Sequence, residues 1–155
     1  MQPEIFRTTH WTVQQCTDVA VPGYVLIVAN GCSTTLADMP HPAMEQLAAL
    51  LPLVLRAVEV AVSPERIYVC MFGESKSALH FHIFPRMDSM QELISEKLSE
   101  SEPTLDGAAL FSRVRRLLSR PSDLEREEPR MERAATEIRR LLLDNVSRCS
   151  AKLGQ

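Results

Sequence analysis

The sequence predicts an α+β fold, in which an antiparallel β-sheet packs against a helix and a helical extension follows. Runs rich in β-branched and aromatic residues flank one helical stretch, which gives the order strand, strand, helix, strand, strand. The last two strands are joined by a short loop, which favours an antiparallel hairpin. After Arg86, apolar residues recur only at helical intervals. We therefore expect a core over residues 1–88 and a helical extension over 89–155 packed on that core.

Two strands and a long helix are predicted in the first half of the chain. Residues 8–15 are rich in Thr, Trp and Val, and residues 24–29 form a continuous apolar run between two turn signals. The helix is predicted to begin at Pro42, because the missing N–H of proline is harmless at the first helical position. Pro52 should kink this helix or divide it in two. The predicted apolar stripe of the helix is Met44, Leu47, Leu51, Leu55 and Val58.

A predicted β-hairpin follows the helix. Its strands cover residues 67–72 and 78–84, and the polar loop 73–77 joins them. Pro85 is expected to end the second strand, because proline cannot donate a hydrogen bond to a neighbouring strand.

The extension is predicted to contain three helices. The sequence Ser-Met-Gln-Glu from Ser89 is typical of a capping box that opens a short helix. Apolar spacing predicts a second helix over residues 105–119, which Pro121 ends. A last helix is expected to begin at Ser122 or Pro129. Its Arg/Glu-rich side is typical of a solvated helix face.

Two histidines lie two residues apart on the second strand of the predicted hairpin. Because side chains alternate along a strand, the apolar residues face one way, and His80 and His82 face the other. Imidazole can act near neutral pH as a nucleophile, a general base, a phosphate donor or a metal ligand. This strand is therefore the candidate site. The same pattern also suits two polar residues on the solvent face of a strand.

Composition narrows the function classes. The formal net charge of -3 gives no global basic field, so a nucleic-acid polymer is not an expected partner. No apolar run approaches the roughly 20 residues that cross a bilayer, so no membrane association is expected. The first four residues lack the basic start of a signal peptide. The four cysteines form no CxxC pair, which favours reduced thiols in a cytoplasmic protein.

Two segments of the chain resemble the histidine-triad (HIT) nucleotide hydrolases and transferases. Residues 73–86 (GESKSALHFHIFPR) are similar to a strand reading roughly His-x-His-x-His-x-x-Pro-Arg behind a small phosphate-binding loop. Residues 22–40 (PGYVLIVANGCSTTLADMP) are similar, without gaps, to the segment Pro-Gly-His-x-Leu-Val-x-Pro-Lys-x-His-x-x-x-Leu-x-Asp-Leu. The helix between them fits in length and position. The resemblance covers roughly residues 11–86 and implies a small α+β domain that is often a homodimer.

The resemblance also implies roles for individual residues. His80 falls on the middle histidine, which is the nucleophile, and His82 falls on the third, which contacts the α-phosphate. Gly73 and Ser75 fall on the phosphate-binding loop, and Lys76 could add positive charge near the phosphates. Ser75 also suits turn hydrogen bonds, and Lys76 also suits a solvent-facing position. No metal or other cofactor is required in this scheme.

The chain departs from the family pattern at several positions. Ala78 stands where the first histidine of the strand is usual, and Glu74 replaces a frequent glutamine. Asn30 and Cys32 stand at the basic and histidine positions of the earlier segment. The chain therefore keeps two of the three triad histidines.

The resemblance implies a hydrolase or nucleotidyl transferase that acts at an α-phosphate through a covalent nucleotidyl-histidine. The expected substrate is a nucleoside phosphoramidate, a nucleotidyl ester or a dinucleoside polyphosphate. In this scheme one nitrogen of His80 attacks phosphorus while the other donates to a backbone carbonyl. His82 then binds a phosphate oxygen, as an imidazolium or as a donor tautomer. An alternative is a catalytically weak or inactive module that binds a nucleotide or a protein.

A third interpretation is a transition-metal site. It would use His80 and His82 together with Cys32 or His10. The spacing gives it little support, because two ligands at His-x-His spacing do not close a metal site.

Overall fold

The protein is built from one antiparallel sheet with helices on both faces, in a computed structural model that describes residues 2–73, 78–98 and 106–152. The strands are β1 (Glu4–Arg7), β2 (Trp11–Gln15), β3 (Val25–Ala29), β4 (Arg66–Cys70) and β5 (His80–Arg86). The helices are α1 (His41–Val62), α2 (Ser89–Leu98), α3 (Gly107–Leu117) and α4 (Pro121–Lys152). The strand order is β1-β2-β3-β5-β4, so the histidine strand β5 lies between β3 and β4. The predicted α+β class is confirmed.

One face of the sheet packs on α1 and α4. Alternate residues of β3 are buried on this face, as period-two alternation requires. Trp11 is fully buried here, and its indole Nε1 donates to the backbone oxygen of Ala43 at 2.7 Å, which ties β2 to the start of α1. The central members of this cluster are Trp11, Val13, Ile27 and Ile83 from the sheet, Leu50 and Val54 from α1, and Ile138 and Leu142 from α4.

The opposite face of β5 packs on α2 and α3. Phe84 is adjacent in sequence to Ile83 and therefore points to this other face, where it contacts Tyr24 edge-on at a ring distance of 5.2 Å. The helices contribute Met90, Ile94, Leu110, Phe111, Val114 and Leu117 to this second cluster. Both clusters thus combine residues from before and after residue 88. The boundary between core and extension that the sequence places there stays a prediction.

The buried stripe of α1 differs from the predicted one. It consists of Ala43, Leu47, Leu50, Val54, Ala57 and Val58. Met44, Leu51 and Leu55, which the prediction placed on it, are only partly buried. Both sets have helical spacing on this leucine-rich helix, so periodicity alone does not select between them.

The predicted breaks at proline also differ from the structure. Of the two outcomes expected at Pro52, a division is wrong because α1 continues through this residue, while a kink stays a prediction. Pro52 lies on the exposed surface, where the carbonyl that it leaves without an N–H partner can bind water. α4 begins at Pro121 rather than at Ser122 or Pro129, and it continues through the exposed Pro129. β5 extends past Pro85, because pairing with β3 ends at Ile83 and β5 has only β4 as a neighbour beyond it.

The hairpin of β4 and β5 is antiparallel, as the short loop predicts, and it pairs Cys70 with His82. The first strand of this hairpin ends at Cys70, two residues before the predicted end. The four-residue strand β1 has no counterpart in the sequence prediction. None of the described helices combines the length and the apolar character needed to cross a membrane.

Candidate active site

The two histidines of β5 form an adjacent pair on one face of the sheet. His80 lies opposite Val28 of β3, and His82 lies opposite Leu26. Their rings are 4.9 Å apart between centroids and meet edge to face at 74°. The alternation of the strand therefore brings the two imidazoles together, as the sequence predicts.

The ring of His80 is held by the backbone of its own strand. Its Nδ1 lies 3.0 Å from the carbonyl oxygen of Ala78. A carbonyl oxygen only accepts, so Nδ1 carries the proton and donates it. In the neutral ring, Nε2 is then left with a free lone pair, the form that a nitrogen nucleophile needs.

The ring of His82 is held by side chains instead. Its Nδ1 lies 2.7 Å from the phenol oxygen of Tyr24 and 3.5 Å from Nη1 of Arg115. The same Nη1 donates to the phenol oxygen of Tyr24 at 2.8 Å. A guanidinium only donates, so its contact with Nδ1 requires Nδ1 to accept. The proton of neutral His82 therefore lies on Nε2, which makes Nε2 a donor.

Burial keeps both His82 and Tyr24 neutral. Burial, and then the nearby charges of His80 and Arg115, lower the pKa of His82 from 6.5 to about 4. Burial also raises the pKa of Tyr24 well above its ordinary value, so its hydroxyl keeps the proton that it donates to His82. The two histidines thus present opposite nitrogens: Nε2 of His80 offers a lone pair and Nε2 of His82 offers a proton.

α3 covers His82 and positions Arg115. The helix begins where Asp106 accepts a hydrogen bond from the backbone N–H of Ala109 at 2.7 Å, which is a typical N-cap. Its apolar stripe packs on Phe84 and Tyr24. Phe111 of this stripe lies 5.7 Å from the ring of His82. As a result, only 8% of the His82 surface is exposed.

An open cavity of about 300 Å³ lies beside the two imidazoles. Its walls combine the sheet with α3 and the segment after β2. The lining residues are Gln14, Cys16, Asp18, Leu26, Val28, Ala78, His80, His82 and Arg115. The cavity therefore combines apolar side chains from β3 with polar groups, among them both imidazoles and one guanidinium.

The other predicted site residues are only partly accounted for. Ser75 and Lys76 lie outside the described residues. Gly73 has a left-handed backbone with φ of 66°, which favours glycine, and it is not among the described residues that line the cavity.

Of the departures from the family pattern, Ala78 lines the cavity, Glu74 lies outside the described residues, and Asn30 and Cys32 are not among the described residues that line the cavity. The side chain of Asn30 donates to the carbonyl oxygens of Thr8 and Thr9 at 2.9 and 3.1 Å, so it joins the loop before β2 to the end of β3. Cys32 is exposed. Within the described ranges, no three or more His, Cys, Asp or Glu side chains are placed to hold a metal ion.

Comparison with solved structures identifies the fold that carries this site. The chain is similar to a HIT-like protein involved in cell-cycle regulation from Bartonella henselae, with a TM-score of 0.58 and 17% identity. The match covers 91% of this chain and 87% of that one. The chain has the histidine-triad fold. The predicted HIT-like fold is therefore confirmed, over more of the chain than the two sequence segments cover.

Two further structures agree on the HIT fold. A histidine triad protein from Bradyrhizobium japonicum has a TM-score of 0.51 and 17% identity, with 81% of this chain and 90% of that one covered. A hypothetical histidine triad nucleotide-binding protein from Sulfolobus tokodaii has a TM-score of 0.51 and 12% identity, with 81% and 85% covered. No family model matches the sequence, and no curated protein matches it significantly.

Sequence reasoning missed two residues of this HIT-fold site. For Tyr24 a signal exists, because the similar HIT segment has a histidine after Pro-Gly and this chain has Tyr24 there. For Arg115 the sequence offers no such signal. It is one of several arginines on helices whose charged faces are typical of solvated surfaces.

Proposed function

We propose that this protein is a nucleotide hydrolase or nucleotidyl transferase that acts at an α-phosphate through a covalent nucleotidyl-His80. The observation that carries the proposal is the pair of adjacent imidazoles in opposite tautomers beside an open cavity. One ring offers a nucleophilic lone pair and its neighbour offers a hydrogen-bond donor. This is the combination that transfer of a nucleotidyl group requires.

In the first step, Nε2 of His80 attacks the α-phosphorus in line with the leaving group. An N–P bond forms as the bond from phosphorus to the leaving group breaks. The leaving group departs with the bonding electron pair, and an amine leaving group takes a proton from solvent. The hydrogen bond from Nδ1 to the carbonyl of Ala78 supports this step, because it keeps the lone pair on Nε2.

In the second step, water attacks the α-phosphorus and the N–P bond breaks. The electron pair returns to Nε2 of His80, the proton of the water goes to solvent, and a nucleoside monophosphate leaves. Throughout, the Nε2–H group of His82 donates to a non-bridging phosphate oxygen. Of the two forms expected for His82, the low pKa of about 4 favours the neutral donor tautomer over the imidazolium at neutral pH.

The composition of the cavity supports a nucleotide as the ligand. Leu26 and Val28 provide apolar surface on which a planar base can lie, while Gln14 and Asp18 offer hydrogen-bonding groups suited to hydroxyls. A volume of about 300 Å³ is at the lower end of small-molecule sites. It suits one nucleoside monophosphate unit, with the leaving group outside.

The proposal is tested by assaying the purified protein with a fluorogenic adenosine phosphoramidate and with diadenosine polyphosphates. His80→Asn should abolish turnover, because the amide nitrogen of asparagine is not a nucleophile. His41→Asn is the matched control, since His41 is exposed at the start of α1, and it should keep full activity. Turnover that persists in His80→Asn would refute the covalent role of His80.

The alternative proposal is a module that binds a nucleotide or a protein with little or no turnover. The observation that favours it is Ala78, which lines the cavity with a methyl group where the resemblance places the first histidine. Calorimetric binding of nucleoside monophosphates by a protein without activity on either substrate class would support the nucleotide-binding form of this alternative.

The expected homodimer and the cytoplasmic location also stay predictions. At the free edge of the described sheet, β4 and the residues after it expose Val69, Met71 and Phe72. Light scattering coupled to size-exclusion chromatography measures the oligomeric state directly.

A further inference from the structure

The guanidinium of Arg115 lies at the cavity, and none of the described carboxylates is its ion-pair partner. Over the ranges that the structure describes, its contacts are the phenol of Tyr24, Nδ1 of His82 and two aromatic rings. We propose that Arg115 binds the phosphate of the substrate, so that the helical extension supplies a catalytic residue to the site. This inference rests on the proposed function and adds a residue that the resemblance does not provide.

The guanidinium is held in place before any ligand arrives. Its carbon lies 5.4 Å from the ring centroid of Phe111 and 6.0 Å from that of Tyr24, within the range of cation–π contacts. The hydrogen bond to the phenol of Tyr24 fixes its orientation. A guanidinium carries five N–H donors, so most of them stay available for an oxyanion.

The position of Arg115 suits a phosphate that His80 attacks. Arg115 lines the same cavity as both histidines, and its Nη1 lies 3.5 Å from Nδ1 of His82. That contact lies at the edge of the ring away from Nε2, so it is the shared cavity that gives a phosphate bound at Nε2 access to the guanidinium. Arginine suits this role because its fork of donors can bind two phosphate oxygens at once.

The low charge of the histidine pair is a further argument for a phosphate-binding cation at this site. His82 is neutral around pH 7, since burial lowers its pKa to about 4, so it donates a hydrogen bond without a positive charge. The charge that develops on the phosphoryl oxygens needs a fixed positive group for stabilisation. Of the described residues that line the cavity, Arg115 is the one with a permanent positive charge.

Calorimetry with matched ligands tests the inference. The probes are adenosine and guanosine monophosphates, each compared with its nucleoside. Arg115→Met should weaken binding of the monophosphates on the order of 10- to 100-fold, the usual loss for a charged hydrogen bond. Binding of the nucleosides should change less than about threefold, because the guanidinium is assigned to the phosphate. Arg116→Met removes an exposed arginine from the same helix and should bind both ligands normally.

Two further variants separate phosphate binding from support of the fold. Tyr24→Phe removes the hydrogen bond that orients Arg115 and holds Nδ1 of His82, yet it keeps the cation. Because a cation that binds the phosphate still attracts it, Tyr24→Phe should weaken monophosphate binding clearly less than Arg115→Met does. An equal loss would mean that Arg115 acts only through Tyr24 and His82, and the inference would be wrong. If Arg115→Met fails to fold, Arg115→Lys takes its place in the test. Its affinity for the monophosphates should fall at least about threefold while its affinity for the nucleosides stays unchanged, because lysine cannot bind two phosphate oxygens with a fork of donors.

The outcomes also separate this inference from the proposed function. A wild-type protein that binds neither monophosphate and turns over neither substrate class contradicts both. A wild-type protein that binds monophosphates, together with an Arg115→Met variant that binds them equally well, contradicts the role of Arg115 alone.

Discussion

Tyr24 and His82 are joined by a hydrogen bond of 2.7 Å between the phenol oxygen and Nδ1, although 58 residues separate them in the chain. Arg115 reaches the same phenol oxygen from α3 at 2.8 Å. The hydrogen bonds of Tyr24 and Arg115 determine which nitrogen of His82 carries the proton. The carbonyl oxygen of Ala78 determines which nitrogen of His80 carries it. The local chemistry of each ring is therefore set by a different part of the fold.

The opposite tautomers can be observed directly. Nitrogen-15 NMR of the imidazole rings near pH 7.5 should show the neutral form of His80 protonated at Nδ1 and that of His82 protonated at Nε2. The physical reason is that His80 donates from Nδ1 to a carbonyl, whereas His82 accepts at Nδ1 from two donors. Two histidines protonated at the same type of nitrogen would contradict the arrangement.

Removal of the phenol hydroxyl should weaken both the fold and the site. Tyr24→Phe leaves Nδ1 of His82 without its closest partner, so unfolding should need roughly 1–3 kcal/mol less free energy. Turnover should fall by about tenfold, because His82 no longer holds one tautomer. Urea denaturation and steady-state kinetics measure the two effects. The exposed change His41→Asn should affect neither.

The pH dependence of stability should report the low pKa of His82. Between pH 6.5, its ordinary pKa, and about 4, its pKa in the folded protein, the unfolded chain binds a proton that the folded protein does not. Stability should therefore fall as the pH is lowered through this window, by up to about 3 kcal/mol from this residue.

Urea denaturation at several pH values between 4 and 7 measures this dependence. His82→Gln provides the comparison, because it removes the titrating ring and should flatten the curve relative to wild type. Equal pH slopes in the two proteins would mean that His82 does not titrate abnormally.

The turn before β3 should not accept a side chain at Gly23. Its φ is 78°, which disfavours other residues, and an added Cβ would lie 2.9 Å from both methyl carbons of Val62. Gly23→Ala should therefore destabilise the fold by roughly 2 kcal/mol or more. Gly31→Ala is the control, since nothing lies within 4 Å of its added Cβ and it should be nearly neutral. Thermal denaturation followed by circular dichroism distinguishes the two.

Local patterns were enough to predict the strand that carries the site. The alternation of His80 and His82 with apolar residues has a period of two, and the short loop before them sets an antiparallel hairpin. Both features depend only on neighbours in sequence. The chain order of β2, β3, the long helix, β4 and β5 follows from equally local signals, whereas the order of the strands in the sheet and the strand β1 do not.

The rest of the site depends on contacts that are distant in sequence. Tyr24 and Arg115 are 91 residues apart, and they meet because the apolar stripe of α3 packs on Tyr24 and Phe84. A sequence pattern gives the stripe but not the surface on which it packs. The prolines show the same limit: Pro52 and Pro129 are tolerated because they lie on exposed helix surfaces, and exposure is decided by tertiary packing.

The covalent nucleotidyl-His80 intermediate can be trapped and identified. The protein is mixed with an adenosine phosphoramidate, quenched within a fraction of a turnover time, and analysed by peptide mass spectrometry under conditions that preserve phosphohistidine. We expect one adenylyl group on His80 in the wild-type protein and none in His80→Asn. An adenylyl group on another residue, or full turnover by His80→Asn, would refute His80 as the nucleophile.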